Sequence, residues 1–508
     1  MMMSLEFLTF ILLGLSTLIY LFLTWNFKYW TDRGVKGPKP KPLFGSLPNM
    51  IKHKRHIIYD MQEIYNKYRY EEDFVGLISI RTPKLMVTSG DMAHRVFVKD
   101  FKNFRYNEAT TWIDYKNDKF FVKNSFVLRD DDWKESRIEA TQGLTPNKVK
   151  AAFPMLKKNC NRLIEYMKMH CTGPTKTGID IKFVCLNYTS DVVADFVLGL
   201  QTDCLKDSSV KIPEMTKRLF EKSTTFTVYA FFAGFFPFIK SIYKEKFFKS
   251  DTQKFFGNLL NTGINMRQKE INNDRADFLG HLLQMQQKKN LTNDHLLSHA
   301  MTFLLDGLET TAAVIAACLY QLAKYPDKQE LLLKEILENS DEKVELTYDK
   351  LDSMEYFDQC FHESMRLLPP ALISNKLCTE HCEVKNKSGI TLKMKPGDIV
   401  VIPLFCLHHD EQYYPEPEEF IPERFSPENG GHKKFRDMGV FYPFGDGPRM
   451  CMGIKFAQAQ TKIAIAEIVR NFNVKLHSRT RRDNYVQPVY FLGSLEGGIW
   501  LDFENRKK

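Results

Sequence analysis

Cys451 lies within residues 443–453, P-F-G-D-G-P-R-M-C-M-G, where three glycines, a phenylalanine and an arginine surround one sulfur. None of the other nine cysteines has such a setting, and the nearby pair Cys378 and Cys382 lacks the spacing and the second pair of a zinc site. A metal-binding sulfur must be a thiolate, and a helix start favours that form by aiming free N–H groups and partial positive charge at it. Residues 453–472 read as that helix. A second constellation is D-G-L-E-T-T, residues 306–311, inside a long apolar run. There Gly307 costs about 1 kcal/mol relative to alanine in a helix, so some other gain must offset it.

Gly445, Gly447 and Gly453 permit unusual dihedrals and close approach to a flat ligand. Phe444 can cover the sulfur, and Arg449 offers a planar cation for a carboxylate. One thiolate, one covering ring and one carboxylate-seeking arginine suit a haem iron with its propionates; the alternative is a glycine-rich turn with an incidental cysteine. The pattern F-x-x-G-x-R-x-C-x-G, filled by Phe444, Gly447, Arg449, Cys451 and Gly453, resembles the haem-binding signature of the cytochrome P450 family. Further family marks follow. Glu363 and Arg366 match E-x-x-R, residues 422–425 match P-E-R-F with Arg424, and Trp133 and Arg137 match W-x-x-x-R.

The resemblance implies a mainly α fold with small β-sheets: a helical haem domain preceded by one N-terminal transmembrane helix. It implies haem b ligated by Cys451, with Trp133, Arg137, Lys376, Phe444 and Arg449 holding the cofactor. Lys376 stands where many relatives carry an arginine. Glu363, Arg366 and Arg424 would form a scaffold behind the haem. Residues 306–311 look like the oxygen-activation motif, in which Thr310 orients water and Glu309 feeds protons. Asp306 departs from the usual alanine or glycine. Three roles are open to it: pairing with a basic nitrogen on substrate, joining Glu309 in a proton relay, or filling space against a polar neighbour. For Thr310 the alternative is a helical threonine bonded to its own backbone.

The activity implied is monooxygenation of lipophilic substrates, with Phe120, Phe121, Phe126, Leu372 and Ile373 as pocket candidates. Electrons would come from NADPH through cytochrome P450 reductase, with cytochrome b5 as an optional second donor, because the chain has no Rossmann fingerprint. Lys134, Lys433, Lys434, Arg436 and Lys455 would flank the docking face. A haem-thiolate isomerase would lack the oxygen-side threonine, and a haem sensor would not need Glu309 and Thr310. The motifs look most like the microsomal animal group acting on xenobiotics and lipophilic metabolites.

The elements that must position these residues are also legible. Residues 5–24 are mostly apolar, carry a single charge at Glu6 and are long enough as a helix to cross a bilayer. A cleaved signal peptide would need a basic start and a small-residue cleavage site. Aromatic residues at 25–30 suit an interfacial belt, and the basic residues that follow place the rest of the chain in the cytoplasm; the resemblance to the microsomal group implies the endoplasmic reticulum membrane. The expected organisation is an anchor at 1–27, a basic, proline-rich linker at 28–45 acting as a stiff spacer, and a catalytic domain at 46–508.

Residues 294–325 predict one long helix, residues 75–87 a hairpin, and residues 390–403 a second hairpin turning at 395–398. Residues 226–238, F-T-V-Y-A-F-F-A-G-F-F-P-F, are either a core helix or a second membrane contact. The 508 residues carry 44% apolar types, enough for a large core, and a net charge of +9. That charge suits an anionic membrane or an acidic partner. Basic residues interspersed with 62 acidic ones, and no recognition module, argue against nucleic acid.

Overall fold

The N-terminal apolar run is helical over Leu5–Thr24, and none of its Glu6–Thr24 span is buried by the rest of the chain. The structure, a computed structural model, describes residues 5–115, 122, 124–173, 175–220, 224–246, 250–269, 275–340, 345–488 and 492–506. The pocket candidates Phe120 and Phe121 lie outside those residues. The segment read as a stiff spacer is docked on the domain at Trp30 and Lys36. Trp30 is buried and its indole N–H donates to Leu77 O at 2.8 Å, while Gly76 N–H donates to Lys36 O. A Cβ at Gly76 would lie 2.1 Å from Trp30 Cγ, so the absent side chain makes the seat. Of the aromatics read as an interfacial belt, Trp25 is exposed and Trp30 belongs to the core.

The helix Ile181–Leu198 is apolar nearly all round and accordingly almost wholly buried. Around it pack the helices Pro146–His170, Glu309–Lys324 and Ile454–Asn471. The apolar span 293–324 is long enough to cross a membrane by length and composition, but 83% of its most apolar window is buried in the core. It is not the single helix expected. Asn293–Gly307 ends and Glu309–Lys324 begins at Leu308, whose φ/ψ of −80°/−70° departs from helical values. The Thr189 hydroxyl reaches Leu308 O at 3.1 Å, a carbonyl that also accepts from Ala312 N–H, and so ties the break to the neighbouring helix.

Among the described residues ten strands form three small sheets. The strands β1 (Phe74–Ser79), β2 (Thr82–Val87), β3 (Tyr106–Asn107), β5 (Ser374–Leu377) and β8 (Ile399–Ile402) form one in the order β1-β2-β8-β5-β3. β4 (Ile179–Asp180), β9 (Phe472–Leu476) and β10 (Trp500–Asn505) form the second, and β6 (Cys382–Lys385) with β7 (Thr391–Met394) the third. The first expected hairpin is β1–β2, paired from Phe74↔Val87 to Ser79↔Thr82. The second is not a hairpin. Its turn forms, with Asp398 N–H donating to Lys395 O, but β7 pairs with β6 whereas β8 lies between β2 and β5. The apolar β8, buried on both faces, belongs to the larger sheet.

Candidate active site

The cysteine loop is held by its own backbone. Gly445 and Gly447 have φ of 70° and 67°, and a Cβ at Gly447 would lie 2.0 Å from Phe97 O. Asp446 accepts from Gly447 N–H at 2.8 Å, and Cys451 N–H donates to Phe444 O at 2.9 Å, closing the loop just before the Ile454–Asn471 helix. Phe444 packs with Phe361, Val314 and Met365. Of the ten cysteines, Cys451 alone is exposed. Protein nevertheless surrounds it, and burial pushes its thiol up to about 11 against the pull of the Gly453 N–H and Arg137. Burial thus opposes the helix start here, and a bound metal would favour the thiolate.

Asp306 and Thr310 face the same enclosed space. Both are accessible although Leu304, Leu305, Leu308 and Glu309 around them are buried. The Asp306 charge acts on Cys451, so the two lie within electrostatic reach of each other. Burial pushes the Asp306 carboxyl up to about 7. The Thr310 hydroxyl donates to Asp306 O, one turn back. Glu309 does not join them. It is buried on the opposite side and pairs with Lys182 of the Ile181–Leu198 helix at 2.7 Å.

A cationic edge completes the cavity. Lys376 is buried in β5 with Nζ 2.8 Å from Asn107 Oδ1, and burial, with nearby Arg449, pushes it down to about 7. Arg449 stacks over Trp133 at 4.4 Å and donates to the carbonyls of Arg105, Ser125 and Leu128. Burial lowers it to about 10. Arg137 donates to Met450 O at 2.6 Å, beside the cysteine. Among the described residues neither Lys376 nor Arg449 has a carboxylate ion partner, and Arg449 retains N–H donors for one. Two desolvated cations lacking an anion, one accessible sulfur and a ring behind it fit a haem with two propionates.

A sequence-family model described as "Cytochrome P450" matches residues 35–497. This chain belongs to the cytochrome P450 family. It is 42% identical over 498 residues to "Probable cytochrome P450 28d1" of Drosophila melanogaster, covering 98% of each chain. It is 41% identical to "Probable cytochrome P450 28a5" of the same organism, covering 96% of this chain and 97% of the relative. "Probable cytochrome P450 28d2", also from that fly, is 40% identical across 95% and 96% of the two chains. The chain is thus a P450 oxidoreductase of the monooxygenase type, a class that uses haem, a redox partner and a small-molecule substrate.

In this P450 the Glu363–Arg366 pair is fully buried. Arg366 Nε and Nη2 donate to the two Glu363 oxygens at 2.7 and 2.8 Å, and Arg424 Nε reaches Glu363 Oε1 at 3.3 Å. Sequence reading missed Lys182, which holds Glu309, Thr189, which holds the helix break, and Asn107, which holds Lys376. All three act across long chain separations and carried no local signal.

Proposed function

We propose that this P450 is a membrane-anchored monooxygenase of lipophilic compounds, driven by NADPH through a separate flavoprotein reductase, in xenobiotic or endogenous lipid or hormone metabolism. The observation that carries the reading is the accessible Cys451 of the glycine loop within electrostatic reach of Asp306, which with Thr310 is accessible on a largely buried helical stretch. In this reading Cys451 ligates the iron, while Lys376, Arg449, Arg137 and Trp133 hold the haem carboxylates. The haem supplies the iron where dioxygen is reduced and one oxygen atom passes to substrate. Thr310 holds its hydroxyl proton on Asp306 O and can turn it toward water at the oxygen side. Glu309, expected to feed protons, is instead held away from this space by its pair with Lys182. Buried Leu372 and half-buried Ile373 suit an apolar substrate.

The division proposed is an anchor at 1–27, a docked segment at 28–45 and the catalytic domain at 46–508, facing the cytoplasm from the endoplasmic reticulum. Residues 226–238 support a second membrane contact. Phe231, Phe232, Phe236, Phe238 and Ile242 are exposed, and Phe236 lies 5.1 Å from Phe22 at the end of the anchor. Of three glycosylation sequons, Asn187 and Asn386 are buried, so only the exposed Asn290 reports topology. Expression in a eukaryotic host should leave Asn290 unmodified. Deleting residues 1–25 should weaken membrane binding but leave haem loading intact, with the residual binding lost on Phe236→Ser and Phe238→Ser. A glycan on Asn290 would reverse the orientation.

An open hollow of ≈ 540 Å³ beside Pro448, lined by Trp133, Lys134, Arg137, Ile138 and Thr141, lies behind the cysteine loop. Lys134 is exposed there; elsewhere Lys433 and Lys434 are exposed, with Lys455 and Arg436 partly so. This is the face proposed for reductase, with cytochrome b5 as an alternative donor. The full chain in phospholipid vesicles with reductase should consume NADPH faster when lipophilic substrate is added. Lys134→Glu and Lys455→Glu should slow that consumption and alter its salt dependence while leaving substrate binding unchanged. No reductase-dependent consumption with any bound lipophile would refute the reading.

A further inference from the structure

From Leu296 to Leu305 every residue of the helix Asn293–Gly307 is buried, Leu296 and Leu304 completely. Asp306 ends that buried run, and being accessible yet desolvated it opens inward rather than onto the outer surface. A space-filling role would require a polar neighbour, yet among the described residues no side chain or backbone N–H bonds to the Asp306 carboxylate. A relay with Glu309 would require the two acids to meet, and Glu309 is turned away into its pair with Lys182. What remains is a carboxyl that is either protonated or paired with a ligand of the cavity, and a cationic ligand would hold it ionised.

The charges around that space define the ligand's chemistry. Asp306 lies within electrostatic reach of Cys451, whose charge as a ligand would be offset by the metal it binds, leaving Asp306 as the acid to be matched. The buried cations Lys376 and Arg449 sit at the edge where the haem carboxylates would neutralise them. No basic side chain forms an ion pair with Asp306 among the described residues. An apolar space with one unpaired carboxylate discriminates by charge, because a cation there is both desolvated and paired whereas an anion is repelled. We infer that Asp306 is a specificity-determining residue that selects lipophilic substrates carrying a basic or quaternary nitrogen.

The assignment rests on the monooxygenase reading for the presence of haem, but its test is a binding measurement. The probe is 1,1-dimethyl-4-phenylpiperidinium, whose quaternary nitrogen cannot ligate iron. Its control is 1,1-dimethyl-4-phenylcyclohexane, the same shape with carbon in place of nitrogen. Equilibrium dialysis against the full-length holoprotein should show the cation bound more tightly than its neutral twin. Asp306→Asn and Asp306→Ala should each lower cation affinity about tenfold or more relative to the neutral probe, and Asp306→Glu should restore the preference. Haem content and the carbon-monoxide spectrum establish that each variant is folded. Equal binding of the two probes by the wild type, or an unchanged ratio in both neutral variants, overturns the assignment. A cation preference lost with Asp306 but unaccompanied by reductase-driven turnover sustains the assignment and instead removes the monooxygenase reading.

Discussion

Arg366→Ala is expected to eliminate folded, haem-loaded protein. The guanidinium and the Glu363 carboxylate are completely buried, and Arg366 also donates to the carbonyls of His408, Pro417 and Glu419. It therefore ties the Glu355–Leu367 helix to the loop that leads to the cysteine. Removing it leaves Glu363 charged in the interior with only the longer Arg424 contact and the Ile421 N–H at 3.0 Å. Breaking such a pair costs about 3–5 kcal/mol, against a total stability of roughly 5–15 kcal/mol. Arg366→Lys should fail as well, because one ammonium cannot replace a fork serving five acceptors. Haem content per mole of purified protein and the thermal midpoint measure the effect. A variant with wild-type haem content and midpoint would show that the network does not hold the site.

Cys451→Ala is expected to reduce reductase-dependent turnover to background while the polypeptide stays folded. The loop geometry does not depend on the thiol: it is set by the left-handed glycines, the Asp446 cap and the Cys451 backbone N–H, all of which survive truncation. Only the metal ligand is lost. Serine at any of the other nine positions should leave turnover near the wild-type value, since those thiols are buried or half-buried away from the loop. NADPH consumption with added reductase is the readout, and residual turnover in Cys451→Ala approaching the wild-type rate would contradict the ligand assignment.

The parts of the site legible in the sequence were those whose partners lie close along the chain. Glu363 and Arg366 are three residues apart on one helix, and the cysteine loop is a single stretch, so spacing alone exposed both. The Glu309–Lys182 pair was hidden because no local pattern connects two distant helices. The break at Leu308 had one local sign, Gly307, but its stabilising partner Thr189 comes from another helix. The turn at 395–398 was read correctly, whereas the sheet each flanking strand joins is decided by distant partners. Trp30 looked like a membrane-interface residue because nothing in its own segment reveals that Gly76 leaves room for it. Asp306 stood out as a departure from a pattern, and only the turning away of Glu309 narrowed its role.

The most direct measurement is the absorption spectrum of the reduced, carbon-monoxide-treated full-length protein. With Cys451 as the axial ligand, the wild type should show the red-shifted band of a thiolate-ligated haem. Cys451→His should move it to the position of an imidazole-ligated haem, and serine at each other cysteine should leave it in place. A wild-type band in Cys451→Ala would contradict the account.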